Sequence, residues 1–188
     1  MGRWQPNAPG RLERAALELY RERGFDRTTV AEIAERAGLT ERTFFRYFAD
    51  KREVLFAAAS TLEEFLVASV NDAPAALPPI EAIAAALEAA GALFEERGEF
   101  ARARAAIITA NPELQERELI KLASIASALA GALCRRGVAA SAASLTAEAG
   151  IAVFKVAFER WVNEDNPREL PKLIRESLDE LKALTAGN

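Results

Sequence analysis

The chain has 188 residues, 51% of them apolar, with a net charge of -4, one cysteine and no histidine. That length allows one good-sized core or a small head on a larger body, and the absence of histidine excludes histidine-dependent triads, histidine metal sites and a histidine proton switch near neutral pH. A lone Cys134 excludes an internal disulfide framework and fits a reducing compartment.

Abundant Ala and Leu with few β-branched runs predict an all-α protein. No apolar run approaches the ~20 residues of a membrane span. The stretch MGRWQPNAPG lacks the apolar segment of a signal peptide. A cytoplasmic location with no membrane partner is the expectation. Charge is unevenly spread: residues 1–52 hold 11 Lys and Arg against 8 Asp and Glu, a balance of +3, whereas the remainder holds 13 against 20, a balance of -7. A basic head on an acidic body is the asymmetry expected when one end meets nucleic acid.

In chain order, residues 1–10 carry Pro6, Pro9 and Gly10 and read as a flexible arm, in which Arg3 could add charge. Arg11 to Arg23 is an amphipathic helix with Leu12, Ala15, Ala16, Leu19 and Tyr20 on one face, ended by Gly24. A second helix opens on a capping box, Thr29 with Glu32, and turns inward Ile33, Ala34 and Ala37. Gly38 supplies a left-handed turn, Leu39 fills the corner and Thr40 caps a third helix running to Phe48. Asp50 with Glu53 forms a further start signal at Lys51, and Arg52 to Val70 reads as a long helix.

The Pro/Ala stretch 71–79 is the most plausible internal boundary. Helices are expected at Ile80 to Glu96, Phe100 to Ala110, Pro112 to Arg136 and Ala142 to Val162, with a last one capped by Asn166-Pro167-Arg168-Glu169 and running to Leu184. That makes nine helices and no strand, arranged as a flexible arm (1–10), a helix-turn-helix head (11–56) and a helical body (57–188).

Two short helices joined by a tight turn are the plan of a helix-turn-helix, whose second helix enters the major groove of double-stranded DNA. Phe44 and Phe48, four apart, would brace that helix from within, leaving Glu41, Arg42, Thr43, Phe45 and Arg46 for the groove. Arg42 is the first candidate for base reading, because a guanidinium can bridge guanine O6 and N7. Thr43 offers a hydroxyl to phosphate and a methyl to thymine, against the plain alternative of a helix-interior threonine. Thr28 and Thr29 at a helix start, Thr40, Tyr47 through its phenol, and Lys51 are the expected backbone contacts, which position without carrying sequence information. For Lys51 the plain alternative is a solvated surface lysine.

The run TTVAEIAERAGLTERTFFRYFADKREVL resembles the N-terminal DNA-binding domain of the TetR family of transcriptional regulators. The resemblance rests on Thr29, Ile33-Ala34, Ala37-Gly38-Leu39, Thr40, Thr43-Phe44-Phe45-Arg46-Tyr47-Phe48 and Lys51-Arg52-Glu53, about the first quarter of the chain. Two positions depart from the family pattern. Arg42 stands where Gly is common, which points to an altered operator preference. Phe45 stands where Tyr is common and cannot donate to phosphate, which leaves stacking on sugar or a thymine methyl.

The resemblance implies a body that forms a homodimer and encloses a small-molecule effector, whose binding moves the heads apart and releases DNA. Phe65, Phe94, Phe100, Phe154, Phe158 and Trp161 could line an apolar cavity, or simply fill core. Arg102 and Arg104 are candidates for an anionic head group, or solvated charges. The last two long helices carry Leu145, Ala149, Ala152, Val153 and Val156, then Leu170, Leu173, Ile174, Leu178 and Leu181. They form either a buried pair within one chain or, the preferred reading, a four-helix bundle with a second copy.

No catalytic constellation stands out, and Cys134 beside Arg135-Arg136 reads as an idle thiol. No enzyme activity, cofactor or metal is expected. The leading expectation is a dimeric repressor of a palindromic operator, released by a small apolar or amphipathic ligand. The rivals are an activator without ligand control and a helical small-molecule-binding protein whose head is unused.

Overall fold

The computed structural model describes residues 7–163 and 169–186. Among them the order is α1 (Ala8–Arg23), α2 (Val30–Arg36), α3 (Glu41–Tyr47), a 3-10 helix (Glu53–Phe56), α4 (Ala59–Asp72), α5 (Pro79–Glu95), α6 (Gly98–Thr109), α7 (Pro112–Arg135), α8 (Ala140–Asn163) and α9 (Leu170–Thr185), with no strand. The expected all-helical class holds. Arg3 and the residues 166–168 of the expected last cap lie outside the described residues.

The chain divides into two compact units, residues 1–59 with 102–118 and residues 60–101 with 119–188. The sequence gives no sign that 102–118 belongs with the head.

In the first unit, local signals set most of the boundaries. α1 starts at Ala8 rather than Arg11, because Asn7 caps it: its Oδ1 accepts from the Gly10 amide at 3.1 Å, and Pro9 sits in the first turn where no amide partner is needed. Asn7 takes the left-handed conformation, φ 67°, which Asn tolerates better than most residues. The α2 capping box forms as expected, with Thr29 Oγ1 accepting from the Glu32 amide at 3.3 Å and Glu32 Oε2 accepting from the Thr29 amide at 2.9 Å. Gly38 at φ 64° makes the turn between α2 and α3, and Thr40 Oγ1 accepts from the Thr43 amide at 3.2 Å to start α3.

The long helix expected from Arg52 to Val70 is interrupted. Asp50 Oδ1 does accept from the amides of Arg52 (2.8 Å) and Glu53 (3.2 Å), so the start signal is real. What it starts is a 3-10 helix. The Leu55 carbonyl, close after its start, accepts from Arg104 Nε at 2.6 Å. The Arg104 guanidinium also lies 4.9 Å from the Phe56 ring and pairs with Glu118 at 3.1 Å. An interaction 49 residues apart in sequence thus meets the chain where the expected helix is interrupted.

The second unit is built on α5, α8 and α9, which pack against one another. Ile83, Leu87 and Ala90 of α5, Ala147, Ile151, Ala157 and Trp161 of α8, and Leu170, Leu173, Ile174 and Leu178 of α9 share one buried cluster with parts of α4 and α7. Gly150 lets α8 approach α5: an added β-carbon would lie 2.4 Å from Ile83 Cγ2.

By length and composition α8 is apolar enough to cross a membrane, which corrects the expectation that no stretch comes near that threshold. Its apolarity serves two faces. Ala143, Ala147, Gly150, Ile151, Val153, Ala157 and Trp161 are buried, whereas Leu145, Ala152 and Val156 are exposed.

Candidate nucleic-acid interface

α3 has one face fixed in the core and one face open. Phe44 is fully buried and Phe48 nearly so, their rings 5.5 Å apart, which seats the helix; burying a phenylalanine side chain is worth about 1.5–3 kcal/mol. On the other side Glu41, Arg42 and Arg46 are exposed, Phe45 is 55% exposed and Tyr47 is 42% exposed. An exposed phenylalanine between two arginines, on a helix braced from behind, is the composition of a surface that stacks on and reads nucleic acid.

Two of the outward side chains restrain each other. Arg46 Nη2 donates to the Tyr47 phenol oxygen at 2.9 Å, and the guanidinium carbon lies 4.8 Å from the Tyr47 ring centre. Thr43 is half-buried, with its hydroxyl 3.0 Å from that of Thr40 at the helix start.

Two of the expected backbone contacts are placed differently from the sequence reading. Thr28 is 1% exposed and its hydroxyl donates to the Gly24 carbonyl at 2.9 Å, so its side chain faces inward and builds the α1–α2 turn. Lys51 does not begin a helix. Its ammonium donates to the carbonyls of Phe25 (2.8 Å), Asp26 (3.2 Å) and Thr28 (3.0 Å) and lies 4.3 Å from the Phe25 ring centre. Thr29 stays exposed, but its hydroxyl is closed into the capping box, donating to Glu32 Oε2 at 2.9 Å.

Three supporting residues escape sequence reading. Tyr20, expected only as core, also donates its phenol to the Lys51 carbonyl at 2.6 Å. Burial, and then the nearby Asp50 charge, push that phenol well above the usual tyrosine range, so it stays a donor. The Arg52 guanidinium beside Asp50 holds the Asp50 carboxyl below the usual carboxylate range, keeping it an acceptor for the turn. Arg11 donates to the Ala37 carbonyl at the α2–α3 turn. The Tyr20 and Arg11 contacts join positions 31 and 26 residues apart, which no local pattern signals.

In the second unit, four of the expected ligand-site residues come together. Phe94 of α5 lies 5.9 Å from Phe154 and 5.8 Å from Phe158 of α8; Phe154 and Phe158 stack at 5.6 Å, and Trp161 lies 5.7 Å from Phe158. The three phenylalanines are half-buried and Trp161 is buried. Phe65 is half-buried against the same core, while Phe100 lies under the Arg97 guanidinium at 4.4 Å. Arg102 falls in the first unit. Among the described residues no group of His, Cys, Asp and Glu is arranged to hold a metal.

Residues 13–58 match the family described as bacterial regulatory proteins, tetR family, and residues 77–186 match the MftR C-terminal domain. The chain belongs to the TetR family of transcriptional regulators. Similarity to MftR of Mycobacterium tuberculosis, a regulator named for mycofactocin biosynthesis, runs over 169 residues at 27% identity and covers 88% of this chain and 85% of that one. The regulator TcmR of Streptomyces glaucescens is 38% identical over 95 residues, 45% of this chain and only 42% of TcmR.

Among solved structures, a SmeT–triclosan complex superposes with a TM-score of 0.68 over 94% of this chain and 90% of that one at 20% identity, a likeness of fold. The TetR assignment makes residues 13–58 the part that matches the family's regulatory model, and the protein a DNA-binding transcriptional regulator rather than an enzyme.

Proposed function

We propose that this TetR-family regulator is a cytoplasmic repressor that binds a palindromic operator as a homodimer and leaves it when a small apolar or amphipathic ligand occupies the second unit. The observation that carries the DNA half is the open face of α3, where Arg42, Phe45 and Arg46 stand exposed on a helix anchored by Phe44 and Phe48. Arg42 is the base-reading residue and Phe45 the apolar contact, reaching a thymine methyl or a sugar. Thr29, Thr40, Thr43 and Tyr47 border that face as backbone contacts.

Dimer formation is supported by α8. Leu145, Ala149, Ala152 and Val156 recur at the 4-3-4 spacing of a helical seam; Leu145 is 73% exposed and Val156 50% exposed, with Ala149 half-buried and Ala152 exposed. A contiguous apolar stripe on a water-facing helix costs solubility unless it is covered. A second copy of α8 covers it by two-fold symmetry, and two heads then meet two half-sites.

The ligand reading is supported by the aromatic cluster of Phe94, Phe154, Phe158 and Trp161, whose half-buried rings would stack on an apolar guest. SmeT, similar in fold, was solved with the apolar ligand triclosan. The test is a titration of the protein–operator complex with triclosan and with medium- and long-chain acyl compounds, followed by fluorescence anisotropy. Release by one of them that is lost in Phe158→Ala, with DNA affinity intact, supports the reading. Release that is unchanged in Phe158→Ala contradicts the assigned pocket.

A further inference from the structure

The basic side chain that closes the helix-turn-helix motif is spent inside the protein. An ammonium group has three N–H donors and no more. Lys51 places them against three backbone carbonyls, those of Phe25, Asp26 and Thr28, at 2.8, 3.2 and 3.0 Å, while its ammonium nitrogen lies over the Phe25 ring, 4.3 Å from its centre. Lys51 is half-buried and Phe25 is buried. A phosphate contact would have to break at least one of these bonds to gain another, which leaves little net gain.

The same residue is held from its other side. Its own carbonyl accepts from the Tyr20 phenol at 2.6 Å, and Tyr20 is buried in α1 against the Phe25 ring, 5.1 Å centre to centre. The three carbonyls belong to the turn that joins α1 to α2. Around them, Thr28 closes the turn through its hydroxyl on Gly24 and its amide on Phe25, the latter at 3.2 Å. Lys51 therefore ties the segment just after α3 to the segment just before α2, across 23 to 26 residues of sequence.

We propose that Lys51 is a positioning residue for DNA recognition: its ammonium, seated on the carbonyls of Phe25, Asp26 and Thr28, sets the pose of α2 and α3 relative to α1 and makes no contact with phosphate. The proposal rests on the first unit being the DNA-binding head. It assigns a specific job to the lysine that follows the Tyr47-Phe48 end of the reading helix. Arginine is no substitute at this seat, because its guanidinium is longer, planar and broader than the compact ammonium held among these carbonyls and against the Phe25 ring.

The experiment uses the full chain and the duplex that the unaltered protein enriches from random-sequence DNA. Affinity is measured by fluorescence anisotropy over a salt series, well below each variant's unfolding midpoint, with helix content checked by circular dichroism. The expected result is that Lys51→Met and Lys51→Arg both lose affinity, on the order of tenfold, the scale of one misplaced base contact. The slope of log affinity against log salt stays that of the unaltered protein.

A phosphate contact gives the opposite pattern: Lys51→Met lowers the slope by ~0.9 for each chain bound, about 1.8 for a dimer, and Lys51→Arg restores both slope and affinity. That result would overturn the proposal. Unchanged affinity in Lys51→Met would also overturn it, leaving Lys51 with a role in stability alone. Should Lys51→Met fail to fold, Lys51→Arg and Tyr20→Phe carry the test. Tyr20→Phe removes the bond to the Lys51 carbonyl without touching a charge, so it should weaken binding at constant slope, and full affinity in Tyr20→Phe together with rescue by arginine contradicts the proposal. Failure of the unaltered protein to show any salt-dependent DNA binding would instead remove the DNA-binding reading on which the proposal stands.

Discussion

Gly150 of α8 lies so close to Ile83 of α5 that a β-carbon at position 150 would come within 2.4 Å of Ile83 Cγ2. The contact sits in the middle of the buried cluster, and Ile83 is fully buried with a stiff, β-branched side chain that cannot swing aside. Gly150→Ala should therefore destabilise the second unit by about 1–3 kcal/mol of overpacking. The helix propensity gained over glycine, about 1 kcal/mol, offsets only part of that. Thermal unfolding followed by circular dichroism reads the difference; a variant as stable as the parent would mean that α5 and α8 stand further apart.

Arg42 stands exposed on the open face of α3. Arg42→Ala should relax base preference by ~1–3 kcal/mol at one position in each half-site while leaving the salt slope little changed. Repeating the random-sequence selection with the variant checks this, position by position. A uniform loss of affinity with the same consensus would move Arg42 from base reading to phosphate contact.

Asp50 gives the head an acid limit. Its carboxyl is held below the usual range by the Arg52 guanidinium, with backbone bonds from Arg52 and Glu53 adding to the effect and burial opposing it. A carboxylate with a lower pKa folded than unfolded stabilises the fold above its unfolded value, and that contribution disappears as pH falls through the folded value. Asp50→Asn should therefore lower the melting temperature at neutral pH, and the gap to the parent should shrink as the solution is acidified below the usual aspartate range. A gap that is constant with pH would mean that the turn depends on the shape of the Asp50 side chain and not on its charge.

The exposed seam on α8 makes a prediction about assembly. Ala152→Arg places a charge in the centre of the stripe formed by Leu145, Ala149, Ala152 and Val156, and its side chain leaves the monomer's own core untouched because position 152 is exposed. Sedimentation velocity should show a dimer for the parent and a monomer for the variant, with helix content preserved. A dimer that survives the substitution would place the interface elsewhere.

What could be read from sequence alone was local. Thr29 with Glu32, Gly38 and Thr40 announce α2, the turn and α3, because each device acts within three or four residues of itself. The spacing of Phe44 and Phe48 likewise separates the buried side of α3 from the side that carries Arg42 and Phe45. The reading went astray where partners come from far along the chain. Arg104 holds the Leu55 carbonyl where the pattern predicts a continuous helix, and three carbonyls from 23 to 26 residues away hold the Lys51 ammonium. Thr28 beside Thr29 shows the same limit: two adjacent threonines, one turned inward to Gly24 and one outward, are indistinguishable by composition. In the body, the aromatic residues are legible as a set, but only the fold shows that Phe94, Phe154, Phe158 and Trp161 meet.

The central claim is that two copies of α3 read a symmetric DNA sequence. The most direct test is selection of bound duplexes from random-sequence DNA by the purified full chain, followed by anisotropy of the enriched duplex across a salt series. The expected result is a palindromic consensus with half-sites about one helical turn apart, or a multiple of that, bound by two chains or by pairs of dimers, with affinity falling steeply as salt rises. No enriched sequence, or binding indifferent to salt, would contradict it.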